Sequence, residues 1–188
     1  MGKLVVTEFV TLDGVVEDPG GAEGGGRGGW AFRFERGEEG DRFKFDELMA
    51  ADAQLLGRVT YEGFAKAWPA MNEDEFGRKF NEMPKFVVST TLENPEWNNT
   101  TVLRGDLSEE VDALKERFDG DILVAGSATL VQSLFARDLV DQLNLMVFPI
   151  LLGAGKRLFA DIADPVPLEL VETRRTGDVS VIVYRRER

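Results

Sequence analysis

The order of apolar and polar residues predicts strands and helices in alternation over most of the chain. Short runs rich in Val, Leu, Ile and Phe are typical of buried strands, and they lie at 3–12, 53–57, 85–89, 101–103, 121–125 and 143–150. Apolar residues that recur three or four positions apart predict helices between these runs, at 41–51, 58–65, about 76–83, 107–118 and from 126 onward. Two final strands, near 166–174 and 179–186, flank a turn at 175–178 and predict a hairpin.

This alternation predicts one α/β domain over residues 1–188. Strands that alternate with helices pair in parallel through right-handed crossovers, whereas the final hairpin has to pair antiparallel. We therefore expect a mixed, mostly parallel central sheet with an antiparallel C-terminal strand and helices on both faces. A glycine-rich loop at about 18–29 interrupts the pattern, and it is either a disordered surface loop or a mobile lid. Trp30, Phe32 and Phe34 follow and can pin its far end.

The composition excludes several classes of function. The 188 residues include no cysteine and no histidine, which excludes disulfides, Cys/His metal sites and Ser-His or Cys-His nucleophiles. A metal site made of carboxylates alone stays open, but we expect no metal. The net charge of −12 disfavours nucleic acid and anionic membranes as partners. The sequence shows no signal-peptide pattern and no bilayer-length apolar run, so we expect a cytoplasmic protein whose phosphate sites are local.

Two segments share the order apolar strand, glycine, small or polar residue, helix. They are Gly57–Thr60 and Gly126–Thr129. A helix N-terminus presents free N–H groups and about half a positive charge, and Arg58 adds a cation. Ligands of open α/β sheets bind at the carboxyl ends of strands, where both turns are predicted. We predict that the two turns together hold a phosphate-bearing ligand; the alternative is that each glycine is only a hinge.

Other polar residues have two interpretations each. The segment 153–157 fails as a P-loop, because four residues should separate its glycines and Ser or Thr should follow its lysine; no G-x-G-x-x-G follows a strand either. Ser89 and Thr90 end a strand and either form a turn or meet a phosphate. Asp13 is either a turn residue or a ligand contact, and Asp41 either complements the dipole of the first helix or acts in catalysis.

Several short motifs, taken in order, resemble the dihydrofolate-reductase-like superfamily. The nearest branch is the one that includes the reductase domain of bacterial riboflavin biosynthesis. The motifs are Val10–Gly14, Leu56–Phe64, Trp68-Pro69, Lys85–Ser89, Val124–Ser127 and Pro149–Phe159. The resemblance covers nearly the whole chain and implies the same central sheet with its antiparallel C-terminal strand.

The resemblance also implies NADPH as the cofactor and gives roles to particular positions. The residues implied to bind the cofactor are Gly57, Arg58, Val59 and Thr60 at the first turn, Gly126, Ser127, Ala128 and Thr129 at the pyrophosphate, Ser89 and Thr90 near the 2′-phosphate, and Arg104 beside the adenine. The residues implied to lie near the substrate are Thr11, Asp13, Gly14 and Asp41, and Lys156 and Arg157 would bind a substrate phosphate.

These observations predict a stand-alone NADPH-dependent reductase. It would transfer a hydride to a C=N or C=O carbon of a pterin-like, pyrimidine-like or other small substrate, with a proton from Asp13, Asp41 or water. It would be similar to 5-amino-6-(5-phosphoribosylamino)uracil reductase or to dihydrofolate reductase, but the segment after Asp41 lacks the expected pterin-pocket pattern. The alternative is a catalytically silent NADPH-binding or sensor module. The apolar C-terminal strands and the resemblance predict a homodimer.

Overall fold

Eight strands form one mixed sheet within the residues described by this computed structural model, which are 1–22, 24, 26–159 and 164–187. The strands are β1 (Leu4–Thr11), β2 (Ala51–Gly57), β3 (Lys85–Val88), β4 (Thr100–Leu103), β5 (Asp121–Val124), β6 (Gln142–Phe148), β7 (Leu168–Thr176) and β8 (Val179–Arg186). Their spatial order is β4-β3-β2-β5-β1-β6-β8-β7. The pairs from β4 to β6 are parallel, and β8 runs antiparallel to both of its neighbours.

Five α-helices connect these strands in the described part of the chain. They are α1 (Gly37–Ala50), α2 (Arg58–Ala67), α3 (Glu75–Glu82), α4 (Leu107–Arg117) and α5 (Ala128–Ala136), with short 3₁₀ helices at Trp30–Arg33 and Trp68–Ala70. Strands and helices therefore alternate over most of the chain, as predicted. None of the helices over these residues is long and apolar enough to cross a membrane.

Several predicted boundaries were displaced by two or more residues, and two of these differences have a clear local cause. α1 begins at Gly37 rather than near 41, because Gly37 has φ +67° and lets the chain turn sharply into the helix. A Cβ atom at this position would lie only 3.0 Å from the backbone nitrogen of Gly177. β6 ends at Phe148 rather than at 150, because Pro149 has no N–H group to continue the ladder.

Helices cover both faces of the sheet, as predicted. Val111 of α4 and Val131 of α5 pack with the strands in one cluster, whereas α1, α2 and α3 pack in a second cluster on the other face. A third cluster surrounds Trp30, which is fully buried and pins the end of the glycine-rich loop. Phe34 packs there as well, but Phe32 is 81% exposed, so the expectation that it pins the loop was wrong. Residues 23 and 25 of the predicted loop lie outside the described residues.

A buried lysine joins β3 to the chain segments beside it. The ammonium group of Lys85 donates to the carbonyl oxygens of Asn81, Met83 and Asn98 at 2.6–3.1 Å, and it lies 4.2 Å from the centre of the Trp97 ring. Burial lowers the pKa of Lys85 to about 8. The three carbonyl acceptors replace the water that this ammonium group loses on folding.

Candidate functional site

The two predicted turns lie side by side at the carboxyl edge of the sheet. β2 and β5 are neighbours, and the N–H of Gly57 donates to the carbonyl oxygen of Gly126 at 3.1 Å. A Cβ atom at Gly57 would lie 2.3 Å from Oγ of Ser127. Gly126 has φ +99°, and a Cβ atom there would lie 2.8 Å from Oγ1 of Thr60. Glycine at both positions therefore lets the starts of α2 and α5 touch each other.

The starts of α2 and α5 differ from those of the other helices. Among the α-helices of the described residues, only these two have no acidic residue in the first turn, although the chain carries a net charge of −12. The starts of α3 and α4 are capped by Asp74 and Asp106, whereas no side chain caps α2 or α5. Their first N–H groups are thus left for water or a ligand, and the helix dipoles favour an anion there.

An open pocket of about 360 Å³ adjoins the start of α2 at the ends of β3 and β4; we call it the arginine pocket. It is lined by Arg58, Val88, Ser89, Thr90, Thr91, Leu103, Arg104 and Gly105. Arg58 forms an ion pair with Glu62 at 2.9 Å, and Arg104 donates to the carbonyl oxygen of Leu92 at 2.5 Å. The structure thus brings Arg58, Ser89, Thr90 and Arg104, predicted from separate segments, around one cavity.

The side chains of the other residues predicted at the turns differ in their exposure to solvent. Thr60 and Ala128 are buried, so Ala128 offers a ligand its backbone N–H only. Thr129 is exposed, and Val59 is 36% exposed. The part of the cofactor prediction that concerns α5 therefore depends on backbone N–H groups and on the exposed side chain of Thr129.

A second open pocket, of about 390 Å³, lies between β1 and the start of α1; we call it the phenylalanine pocket. It is lined by Phe9, Ala31, Phe32, Phe34, Glu35, Arg36, Gly37, Glu38 and Asp41. In the sheet, β3, β2, β5 and β1 are successive neighbours, so about 14 Å of sheet edge separates the strands beside the two pockets. The two helix starts lie between the pockets along this edge.

Asp41 lies at the rim of the phenylalanine pocket. Its carboxylate pairs with Arg36 at 2.7 Å, and its side chain is 61% exposed. The guanidinium group of Arg36 also lies 5.5 Å from the centre of the Phe9 ring. The buried acid of α1 is instead Glu47, which accepts from Oγ1 of Thr7 at 2.9 Å. Asp41 is therefore placed to meet a ligand at the surface of the pocket rather than in the interior.

Asp13 anchors one loop to another. Its carboxylate accepts hydrogen bonds from Oγ1 of Thr11 at 2.6 Å and from the backbone N–H groups of Leu152 and Gly153 at 3.2 and 2.7 Å. These donors, led by Thr11, lower the pKa of Asp13 to about 2. Arg157 in turn donates to the carbonyl oxygen of Asp13. A carboxylate held in this way is ionised at neutral pH and has no proton to give.

Thr11, Gly14, Lys156 and Arg157, which are also predicted near the substrate, lie in or beside the loops that Asp13 joins. Gly14 has φ +84° and donates to the carbonyl oxygen of Thr11, while Lys156 presents its backbone oxygen to Val16 and exposes its side chain. Of the described residues that line the phenylalanine pocket, none is Thr11, Gly14, Lys156 or Arg157. Their assignment to the substrate stays a prediction that this geometry does not favour.

Sequence reasoning missed Glu8, Phe9 and Arg36. Glu8 is a carboxylate only 8% exposed, and its Oε1 lies 3.7 Å from the position of a Cβ atom at Gly126. A lone acid inside an apolar strand was the signal for Glu8. Phe9 and Arg36 carried no comparable signal, because only the contact between β1 and α1 makes them neighbours.

Comparison with known proteins identifies relatives along nearly the whole chain. The sequence pattern of the RibD C-terminal domain matches residues 2–182. The uncharacterized protein YyaP of Bacillus subtilis (strain 168) is 30% identical over 188 residues, which covers 97% of this chain and 94% of YyaP.

Solved structures confirm the predicted dihydrofolate-reductase-like fold. A Shewanella sp. PV-4 protein, whose name links it to riboflavin biosynthesis, superposes with a TM-score of 0.80 at 19% identity and covers 99% of both chains. The dihydrofolate reductase of Enterococcus faecalis, solved with NADP(H), superposes with a TM-score of 0.64 at 17% identity and covers 100% of this chain and 98% of its own. At these identities the superpositions establish the fold alone.

Proposed function

This chain belongs to the RibD C-terminal domain family, and from that premise we propose that it is a reductase that binds NADPH and acts on a small C=N or C=O substrate. The observation that carries this proposal is the pair of uncapped, acid-free helix starts that meet at the carboxyl edge of the sheet. The E. faecalis dihydrofolate reductase, which shares the fold, is solved with NADP(H).

The residues present fit a dinucleotide phosphate. The backbone N–H groups at the starts of α2 and α5 would hold the pyrophosphate, since they have no side-chain cap to displace. Arg58, with the hydroxyls of Ser89 and Thr90, would hold the 2′-phosphate in the arginine pocket. Because Arg104 lines the same pocket, we propose that it also binds this phosphate rather than only flanking the adenine, as the resemblance implies. This charge is local, as a chain with a net charge of −12 requires.

The chain's own contribution to catalysis is to hold the cofactor and the substrate in one cleft. When bound, NADPH supplies a hydride. The helix starts would fix one end of the cleft, and the phenylalanine pocket would hold the substrate at the other end, beyond β1. Holding both partners in reacting geometry converts a bimolecular step into a unimolecular one, which removes much of its entropic barrier.

The proton for this reaction comes from solvent in our proposal. Asp13 is ionised and bound to three donors, so it cannot act as an acid near neutral pH. Asp41 is paired with Arg36. Of the three predicted donors, water that reaches the open phenylalanine pocket remains, and the Asp41 carboxylate can accept a hydrogen bond from it.

Titration of the protein with NADPH and NADH tests the cofactor assignment. Arg58→Ala and Arg104→Ala should each weaken NADPH binding by about tenfold, because a charged hydrogen bond contributes about 1.5–3 kcal/mol and part is offset by the Arg58–Glu62 pair. NADH binding should change less than about twofold, since NADH has no 2′-phosphate. Arg137→Ala is the matched control, because this exposed arginine lies at the opposite end of α5.

Unchanged NADPH affinity in Arg58→Ala and Arg104→Ala would show that the phosphate assignment is wrong. NADPH binding without oxidation in the presence of pterin, flavin-precursor and small carbonyl compounds would instead favour the silent module. One domain over residues 1–188, a cytoplasmic location and the lack of nucleic-acid or membrane partners stay predictions.

A further inference from the structure

We propose that Glu62 of α2 limits the preference of this protein for NADPH over NADH. Its carboxylate competes with the 2′-phosphate of NADPH for Arg58 and repels that phosphate. The proposal rests on the proposed function and identifies a residue that sets how strongly the two cofactors are distinguished. It is drawn from the ion pair between Arg58 and Glu62, because Arg58 lines the arginine pocket.

The first turns of α2 place Arg58 and Glu62 on one exposed side of the helix. Residues four positions apart lie one above the other in a helix, so the two side chains meet. Thr60 and Tyr61 are buried and hold α2 against the rest of the fold, and the hydroxyl of Tyr61 accepts from the N–H of Trp97 at 3.0 Å. The buried side of α2 is thereby fixed, and Glu62 stays beside the arginine that lines the pocket.

The carboxylate of Glu62 already holds the cation at this side of the arginine pocket. Nη1 of Arg58 donates to both carboxylate oxygens, at 2.9 and 3.0 Å. The two side chains are 43% and 42% exposed, so water screens the pair and the pair can open. A phosphate that binds Arg58 must therefore either displace this carboxylate or share the guanidinium group with it.

Both routes weaken the binding of a phosphate. Displacement breaks an exposed ion pair, which costs about a factor of two in affinity. Sharing leaves two anions on one guanidinium group, about 6–7 Å apart, since each forms a hydrogen bond of about 2.9 Å to it. This separation is shorter than the Debye length of about 10 Å at 0.1 M salt, so the repulsion costs about a factor of three or more.

Two further carboxylates border the pocket, but backbone groups hold them. Glu110 accepts from the N–H of Gly105 at 3.0 Å, and Asp106 caps the start of α4. Arg104, the second arginine of the lining, donates to the neutral carbonyl oxygen of Leu92 at 2.5 Å. The arginine on α2 is therefore the one that a carboxylate holds, and Glu62 is the acid that a phosphate at this arginine has to meet.

Glu62 acts on the two cofactors differently. NADH carries a hydroxyl group where NADPH carries the 2′-phosphate, and a neutral hydroxyl neither draws Arg58 away from Glu62 nor is repelled by it. Glu62 therefore lowers the affinity for NADPH and leaves the affinity for NADH almost unchanged. The difference between the two affinities is then smaller than the two arginines alone would give.

Calorimetric titration with 2′,5′-ADP and 5′-AMP tests this proposal without any reaction, because these nucleotides differ in the 2′-phosphate alone. At low salt, Glu62→Gln should bind 2′,5′-ADP about three- to fivefold tighter than wild type and 5′-AMP within about twofold of wild type. About 0.5 M salt should remove most of this gain. Glu62→Asp keeps the charge and should keep the wild-type ratio of the two affinities within about twofold.

Glu116→Gln is the matched control. It removes an exposed carboxylate at the far end of α4, about 14 Å along the helix from its start, which is more than a Debye length. Both nucleotide affinities should keep their wild-type values in this variant. The midpoint of urea unfolding should be nearly the same for all of these proteins, because each substitution is at an exposed or half-exposed position.

The proposal is overturned if Glu62→Gln binds 2′,5′-ADP no more tightly than wild type, or if it gains as much affinity for 5′-AMP. Weaker binding of 2′,5′-ADP would overturn it as well, and would show that Glu62 positions Arg58 for the phosphate. These failures leave the proposed function intact if wild type binds NADPH and Arg58→Ala weakens that binding. A wild type that binds neither NADPH nor 2′,5′-ADP would instead overturn the proposed function.

Discussion

The contact between the two turns allows a single methyl group to test the site. In Gly57→Ala the new Cβ atom would lie 2.3 Å from Oγ and 2.9 Å from the backbone nitrogen of Ser127. Ordinary contacts begin at 3.4 Å. The Ser127 hydroxyl can rotate away but the backbone nitrogen cannot, so the starts of α2 and α5 have to separate by about 0.5 Å. The backbone at Gly57 has φ −77°, which alanine also adopts, so the effect is one of space alone.

The expected magnitude follows from this overlap. Extra atoms in a packed site cost about 1–3 kcal/mol, and a weakened bond from Gly57 N to Gly126 O would add up to about 1 kcal/mol. We expect a loss of about 2 kcal/mol in the free energy of unfolding and a loss of about tenfold or more in NADPH affinity. Urea unfolding and NADPH fluorescence titration measure these two quantities.

Two variants sharpen this test. Gly20→Ala introduces the same methyl group where no atom lies within 4 Å, and it should change neither quantity. Adding Ser127→Gly to Gly57→Ala removes the nearest atom and should restore part of the NADPH affinity, because the overlap with the backbone nitrogen remains. Wild-type stability and NADPH affinity in Gly57→Ala would refute the reasoning that these turns act as one site.

Three further predictions concern pH and assembly. The pKa of Asp13 is about 2 in the folded protein and 3.8 ordinarily. In urea unfolding, wild type should therefore lose stability relative to Asp13→Asn as pH falls from about 4 to 2. Above about pH 5 the difference between the two proteins should be constant. The pKa of Lys85 falls from 10.5 to about 8, so wild type should gain stability relative to Lys85→Met between about pH 8 and 10; a flat difference would contradict this. The edge strand β7 exposes Leu170 (53%) and Val171 (44%), which can pair with a second copy. Light scattering should therefore give the mass of a dimer for wild type and of a monomer for Leu170→Lys. A monomeric wild type would refute the homodimer.

Much of the fold could be predicted from the sequence, because local spacing alone carries that information. The alternation of buried strands and amphipathic helices indicated the parallel part of the sheet, and the turn before Val179 indicated the hairpin. Gly57 and Gly126 were recognisable because each stands directly between an apolar run and a helix. The absence of histidine and cysteine removed whole classes of chemistry without any coordinates.

The substrate side of the site depended on the tertiary structure. Asp13 meets Leu152 and Gly153, which lie about 140 positions along the chain, and these contacts make it a loop anchor. Phe9 meets Arg36 only because β1 lies against α1, so no local pattern could place them in one pocket. Spacing along the chain determines where strands end and helices begin, whereas the neighbours of a carboxylate or a ring, and hence its charge state and its ligand, are decided by chain segments far apart in sequence that meet only after folding.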